Sequence, residues 1–351
     1  MDQNSSQQCD FPAQAQRIVV PTRQAPALAA SADGSRGIPD LLRMSREAAR
    51  HPFDLIFFPA VYSYFPLLPG RRARTVVTFH DTIAERHPGL VFPTRRSRLF
   101  WMAKCRLALR QADVILTVSE YSKQCLMRHW KLDAGRIRLV SEAAGPCFRP
   151  VQESSRTERA LEALGLDSSV PYLMYVGGFS PHKNLSFLLQ SFCRLTERPP
   201  WREVRLLLAG DFAEDVFYSN YPELRQRFRS PNVVFTGHLS DESLAALLSG
   251  ARALVLPSLD EGFGLPAVEA MSCGTPVLAS RSGALPEVVG EAGLYFSPHD
   301  QQELLQALLR ILDDAPLRRR LSGRALQRAK QFSWDRAAAM ARQAFEEAVA
   351  L

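Results

Sequence analysis

The chain has 351 residues, 46% of them hydrophobic and 23% charged, which is enough for two domains with their own cores and an ordinary composition for a globular protein. No apolar run reaches the roughly 18–20 residues that a membrane-spanning helix needs, the start is Gln- and Ser-rich with no apolar segment behind a basic head, and the six cysteines are scattered without a Cys-x-x-Cys pair. These features argue against a transmembrane protein, a secreted disulfide scaffold and a zinc module, leaving reduced thiols in the cytoplasm as the expectation, with a net charge of +7.

Residues 1–16 read as a disordered tail. A first domain is expected over 17–150, starting with a short strand at Arg17 to Val20 and continuing with strands near 54–58, 75–79, 113–118 and 137–140 and a long helical stretch near 94–110. Residues 147–170, rich in Pro, Ser, Glu and Arg, read as a linker. A second domain is expected over 151–330. Its strands near 172–176, 204–209, 232–236, 253–256, 276–279 and 293–296 alternate with helices near 184–195, 221–229, 241–249, 266–272, 300–313 and 316–331. Such alternation predicts a parallel, doubly wound α/β sheet, in which ligands bind beyond the carboxyl ends of the strands. Gly177, Gly237 and Ser258 all fall just after predicted strands.

Two segments carry the chemistry. In Ser258-Leu259-Asp260-Glu261-Gly262-Phe263-Gly264-Leu265-Pro266-Ala267-Val268-Glu269, two glutamates eight positions apart flank a glycine-rich loop and a helix start. The glycines let backbone approach a ligand, Pro266 suits a first helical turn, and the helix N-terminus favours an anion. Glu261 and Glu269 can accept hydrogen bonds from hydroxyls, so diphosphate and polyol together describe a nucleotide sugar. Upstream, Tyr172 to Val176 leads into Gly177-Gly178-Phe179-Ser180-Pro181-His182-Lys183-Asn184, a glycine pair followed by a lysine before a helix. Lys183 there adds a point charge to a second anion cradle.

Together these segments resemble the retaining glycosyltransferases of family 4, which have the GT-B fold. Further matching residues are Thr78-Phe79-His80-Asp81, Val118-Ser119-Glu120-Tyr121-Ser122-Lys123, Gly237-His238-Leu239-Ser240-Asp241, Leu285-Pro286-Glu287-Val288-Val289-Gly290 and Phe332-Ser333-Trp334-Asp335. The resemblance implies two Rossmann-like domains facing across a cleft, with a helix over 331–351 crossing back to the first domain. It implies transfer of a hexose from a nucleoside diphosphate sugar with retention at the anomeric carbon. His80 would contact the transferred sugar, Lys183 the diphosphate, Glu261 the sugar hydroxyls and Glu269 the ribose. Gly177, Gly178, Asn184, Ser258, Gly262, Phe263, Gly264 and Leu265 would complete the donor site, with His238 and Leu239 near the base. Asp81 and Ser119 would lie on the acceptor side. Paired carboxylates in retaining hydrolases act as acid and nucleophile about 5 Å apart; the resemblance instead gives both glutamates binding roles.

The chain departs from this family in two places. Many relatives have arginine where this chain has Gly178, and the Gly-Gly-x4-Lys-Asn version resembles a subset associated with mannosyl or deoxyhexose transfer in surface polysaccharide assembly, which favours a GDP-linked donor. The strand, glycine loop and long helix that normally open the first domain are not evident before residue 50, so that domain is expected to be shortened. No Asp-x-Asp motif is present, so catalysis without a metal or other cofactor is expected.

Charge bears on the acceptor. Residues 1–150 hold 22 Lys and Arg against 12 Asp and Glu, and the remainder 21 against 24. Arg71-Arg72-Ala73-Arg74 and Arg95 to Arg106 mix cations with large apolar side chains, which fits either a solvated basic face or an element lying on anionic lipid at the inner face of the membrane. A saccharide or lipid-linked saccharide acceptor is expected. No nucleic-acid reading motif accompanies the charge. A catalytically silent sugar-nucleotide-binding subunit and a sugar-nucleotide epimerase on the same scaffold remain the alternatives.

Overall fold

The computed structural model describes residues 15, 16, 18–22, 37–68, 70, 73–151, 153–210 and 221–351. The expected tail at 1–14, Arg17 of the expected first strand, and Arg71 and Arg72 lie outside the described residues; Val20 forms an isolated β-bridge.

The chain forms two parallel sheets. The first contains β1 (Leu55–Phe58), β2 (Arg74–Thr78), β3 (Val114–Thr117) and β4 (Ile137–Leu139), side by side in that order. The second contains β5 (Tyr172–Val176), β6 (Arg205–Ala209), β7 (Val233–Gly237), β8 (Leu254–Leu256), β9 (Val277–Ser280) and β10 (Gly293–Phe296), in the order β10-β9-β8-β5-β6-β7. All these pairings are parallel. Successive side chains of a strand point to opposite faces, and β5 shows the consequence. Tyr172 and Met174 join one buried cluster with helices Asp241–Gly250 and Leu265–Ser272, while Leu173 and Tyr175 join another with helices Leu185–Thr196 and Gln301–Asp313. Both faces of the sheet are therefore covered, which is why its strands read as apolar runs.

Helix Arg95–Gln111 begins at Thr94, whose side chain accepts from the Ser97 amide in a capping box, and it buries Trp101, Cys105, Ala108 and Leu109. Helices that the sequence reading did not place occur at Ile38–Ala49, Glu120–Trp130 and Leu285–Val289. The expected linker at 147–170 is corrected: it contains helix Ser154–Glu162, pinned to Asp241–Gly250 by buried Leu161 and by Thr157 Oγ1 donating to the Ala246 carbonyl at 3.0 Å. The last helix, Trp334–Ala350, returns to the first sheet. Ala344 and Ala348 pack on Val76, Val114 and Leu116, Phe345 meets Phe57, and Arg138 pairs with Glu347 at 2.6 Å.

Candidate active site

In the second sheet β5 comes first in the chain but lies in the middle. The chain adds β6 and β7 on one side and β8, β9 and β10 on the other, so the winding reverses between β5 and β8. Ligands of open α/β sheets bind at such a switch point. The loops leaving these two strands carry Lys183 and Glu261, and they meet: Lys183 Nζ lies 2.8 Å from Glu261 Oε1, which also accepts from Ser258 Oγ at 2.7 Å. Burial alone would raise the Glu261 pKa, but the Lys183 ammonium and the two hydrogen bonds outweigh it and hold the carboxyl below its ordinary value.

A cavity of about 380 Å³ opens beside this pair between the two sheets, lined from the second by Gly178, His182, Lys183, Glu261 and Gly262 to Pro266, and from the first by Tyr62, His80, Asp81 and Glu142. His80 follows β2 and Glu142 follows β4, so both sheets present their carboxyl ends to it. Gly262 allows the close approach, since a Cβ there would stand 2.5 Å from the His80 carbonyl oxygen and 2.7 Å from Asp81 Cβ. Gly264 has φ +95° and caps helix Leu265–Ser272 in the left-handed region, with Pro266 in the first turn. A larger hollow of about 460 Å³, near Arg50, His51 and Phe53, is lined by none of these groups.

The cavity is acidic apart from one cation. Among the described residues lining it, Lys183 is the only Lys or Arg, against Asp81, Glu142 and Glu261. Burial, reinforced by Asp81 and Glu261, raises Glu142 to about 7; its Oε1 lies 3.8 Å from His80 Nε2, and burial lowers the His80 pKa. Asp81 is raised chiefly by burial and accepts from the Ile83 amide at 2.8 Å. His182 is buried, its pKa pushed down to about 4, so its imidazole is neutral at pH 7.

His80, Asp81, Gly178, Lys183, Glu261, Gly262, Phe263, Gly264 and Leu265 thus line one space. The other residues singled out from the sequence stand beside it or away from it. Gly177 follows β5 with φ +143°. Asn184 is a structural clamp with φ +59°, its Nδ2 donating to the Pro257 and Pro298 carbonyls at 3.1 and 2.9 Å. Ser119 caps helix Glu120–Trp130 and donates to the Gly262 carbonyl at 2.5 Å. Glu269 is half-buried on helix Leu265–Ser272, its carboxyl raised to about 7 by burial and by Asp241 and Glu142. His238 is exposed and Leu239 packs at the edge of the second core. Glu142, Tyr62 and His182 are not among the residues singled out from the sequence: Tyr62 and Glu142 sit in no glycine-marked loop, though Glu142 follows a predicted strand end, and His182 stands in the Lys183 loop, where the lysine carries the anion-binding signal.

The family described as Glycosyltransferase Family 4 matches residues 6–143, and that described as Glycosyl transferases group 1 matches 170–314. O-antigen chain mannosyltransferase B of Escherichia coli is 36% identical over 276 residues, 76% of this chain and 69% of the relative. The chain belongs to glycosyltransferase family 4. As a family 4 glycosyltransferase it also matches the serotype-specific mannosyltransferase WbdA of Escherichia coli, 29% identical over 78% of this chain but only 33% of that longer protein. Sucrose-phosphate synthase from Thermosynechococcus elongatus superposes with a TM-score of 0.72 at 23% identity, covering 97% of this chain and 86% of that one. Anabaena HepE, solved with UDP and glucose, gives 0.72 at 21% identity over 95% and 86%. The family 4 fold is GT-B, with the Trp334–Ala350 helix as its return crossing.

Proposed function

We propose that this glycosyltransferase transfers a hexose, with mannose favoured, from a GDP-linked sugar to a saccharide or lipid-linked saccharide acceptor during surface polysaccharide or glycolipid synthesis, retaining the anomeric configuration. The observation that carries the reading is the Lys183–Glu261 pair at the switch point, with His80 on the facing wall. Separating a diphosphate from a sugar that gains positive character requires positive charge at the phosphates. Lys183 is the cation in place for this, and turning toward the diphosphate frees Glu261 to accept from sugar hydroxyls. The acceptor hydroxyl attacks from the face the diphosphate leaves, its oxygen forming the new bond to the anomeric carbon while a departing phosphate oxygen takes the proton. We assign the phosphate charge to Lys183. Preference for mannose draws on the Gly177-Gly178 loop and on what the Escherichia coli relatives are named for.

The acceptor side is basic, and helix Arg95–Gln111 exposes Leu99 (71%) and Phe100 (44%) among Arg95, Arg96, Arg98 and Arg106. Lys104 turns inward instead, donating to the Tyr62 carbonyl at 2.7 Å. A face of this kind suits anionic lipid at the inner side of a membrane, and no described helix is long and apolar enough to cross one.

The test is thermal stabilisation by GDP, UDP, ADP, CDP and dTDP, followed by turnover of the corresponding sugar donors. A ligand at 100 times its Kd stabilises by about 2.7 kcal/mol. Stabilisation by GDP that is largely lost in Lys183→Ala supports the reading. Stabilisation by another diphosphate moves the donor to that base, and stabilisation by none overturns donor binding at this site.

A further inference from the structure

Asp260 stands next to Glu261 but faces the other way. Its carboxylate is 1% exposed and accepts from three side chains of the first domain: Arg86 at 2.8 Å, His87 at 3.1 Å and the Tyr121 hydroxyl at 2.9 Å. Arg86 is itself set by the Tyr121 hydroxyl, with its guanidinium 5.4 Å from the centre of that ring. Two residues further on, the Gly262 carbonyl accepts from Ser119 and Ser122, at 2.5 and 2.9 Å, and Ser122 also donates to the His80 carbonyl at 3.0 Å. A third contact runs alongside: both oxygens of Glu287 accept from the Glu120 and Tyr121 amides, at 2.8 and 2.9 Å, at the N-terminus of helix Glu120–Trp130. A carboxylate is favoured at that end of a helix.

Peptide 260–262 is therefore held on both flanks by the first domain, while the side chain between them is held by Lys183 and Ser258 of the second. We infer that Asp260 is a positioning residue: its bonds to Arg86, His87 and Tyr121 form a cross-cleft latch that fixes the Glu261 loop in register with His80. Separation of the domains removes all three donors at once, so the contacts that hold the Asp260 side chain exist only while the cleft is closed. The loop is thus ordered for sugar binding when the cleft is closed, and the latch makes closure and the placing of Glu261 one event. This role rests on the transferase reading for its consequence in turnover, but not for its existence.

Hydrogen exchange of the ligand-free protein tests the latch independently of any donor. Asp260→Asn keeps the shape and removes the charge, and Tyr121→Phe keeps the ring beneath Arg86 and removes one donor. In both, the amides of 259–264 and 119–122 should exchange at least about tenfold faster than in the wild type, while β5 and β6 remain as protected as before. With the donor identified above, kcat should fall by roughly ten- to a hundredfold, the scale on which a misplaced reacting group costs rate, with the donor KM within about threefold. Exchange unchanged in both segments, or raised equally across β5 and β6, would overturn the latch; faster local exchange with unaltered kcat would overturn the positioning role. Absence of turnover by the wild type with every donor would count against the transferase reading and leave the exchange result standing.

Discussion

Replacing Lys183 with alanine isolates the charge at the centre of the site. Lys183 Nζ sits 2.8 Å from Glu261 Oε1, with the two side chains 23% and 11% exposed. Breaking a buried pair by deleting one partner costs about 3–5 kcal/mol because the other charge stays buried. Lys183 keeps some contact with water and Ser258 still donates to Glu261, so the lower end, about 3 kcal/mol, applies at pH 7. For a domain of this size each kcal/mol moves Tm by roughly 2–4 °C, which gives a fall of about 6–12 °C.

The sign of the pH dependence separates charge from packing. In the wild type the Glu261 pKa is held below its ordinary value of 4.5, so its ionised form adds stability above pH 4.5 that is lost as the pH falls through the folded value. In Lys183→Ala burial prevails, the pKa rises above 4.5, and ionisation costs stability as the pH climbs. The gap in Tm between wild type and variant should therefore be small at pH 4 and widest near pH 7, read by calorimetry across that range. Adding Glu261→Gln to Lys183→Ala should recover most of the loss at pH 7. An equal gap at pH 4 and pH 7 with no recovery in the double variant would show that Lys183 acts by packing, and would refute the reasoning.

Gly262→Ala should abolish turnover and lower Tm, because its Cβ would meet the His80 carbonyl at 2.5 Å, whereas Gly323→Ala, with open space around it inside helix Ala315–Ala329, should raise Tm by the effect of about 0.5–1 kcal/mol. Glu142→Gln should gain Tm over the wild type as the pH rises from 4.5 to 7 and hold that gain above it, since a carboxyl raised to about 7 by burial loses stability across that window. At Asn184, with φ +59° and two carbonyl contacts, glycine should cost about 1–2 kcal/mol for the lost hydrogen bonds and alanine more, because alanine also strains the left-handed backbone; urea melts should rank wild type, glycine, alanine.

What the chain order disclosed and what it hid follow from the range of each interaction. β5 and β6 were legible as apolar runs because both faces of their sheet are buried, and that burial is written residue by residue. Helix Ser154–Glu162 looked like a linker because a single side chain, Leu161, is fully buried on it, too little for a periodic signal. Helix Ile38–Ala49 begins at Gly37 without a capping side chain, so it lacked the usual start mark. In the site, Lys183 and Glu261 each stand in a glycine-marked loop after a strand, and their meeting follows from the strand order. Asp260 occupies the same loop, yet its donors lie 174, 173 and 139 residues away on the other domain. Adjacent residues of one motif thus differ in how far a sequence can disclose them. Glu261 is paired with a lysine from the loop after the neighbouring strand of its own sheet, whereas Asp260 is satisfied only by the way two separately folded sheets face each other. Three first-domain donors converging on one carboxylate of the Glu261 loop therefore tie the position of that loop to the closed cleft, through contacts that only the facing of the two sheets supplies.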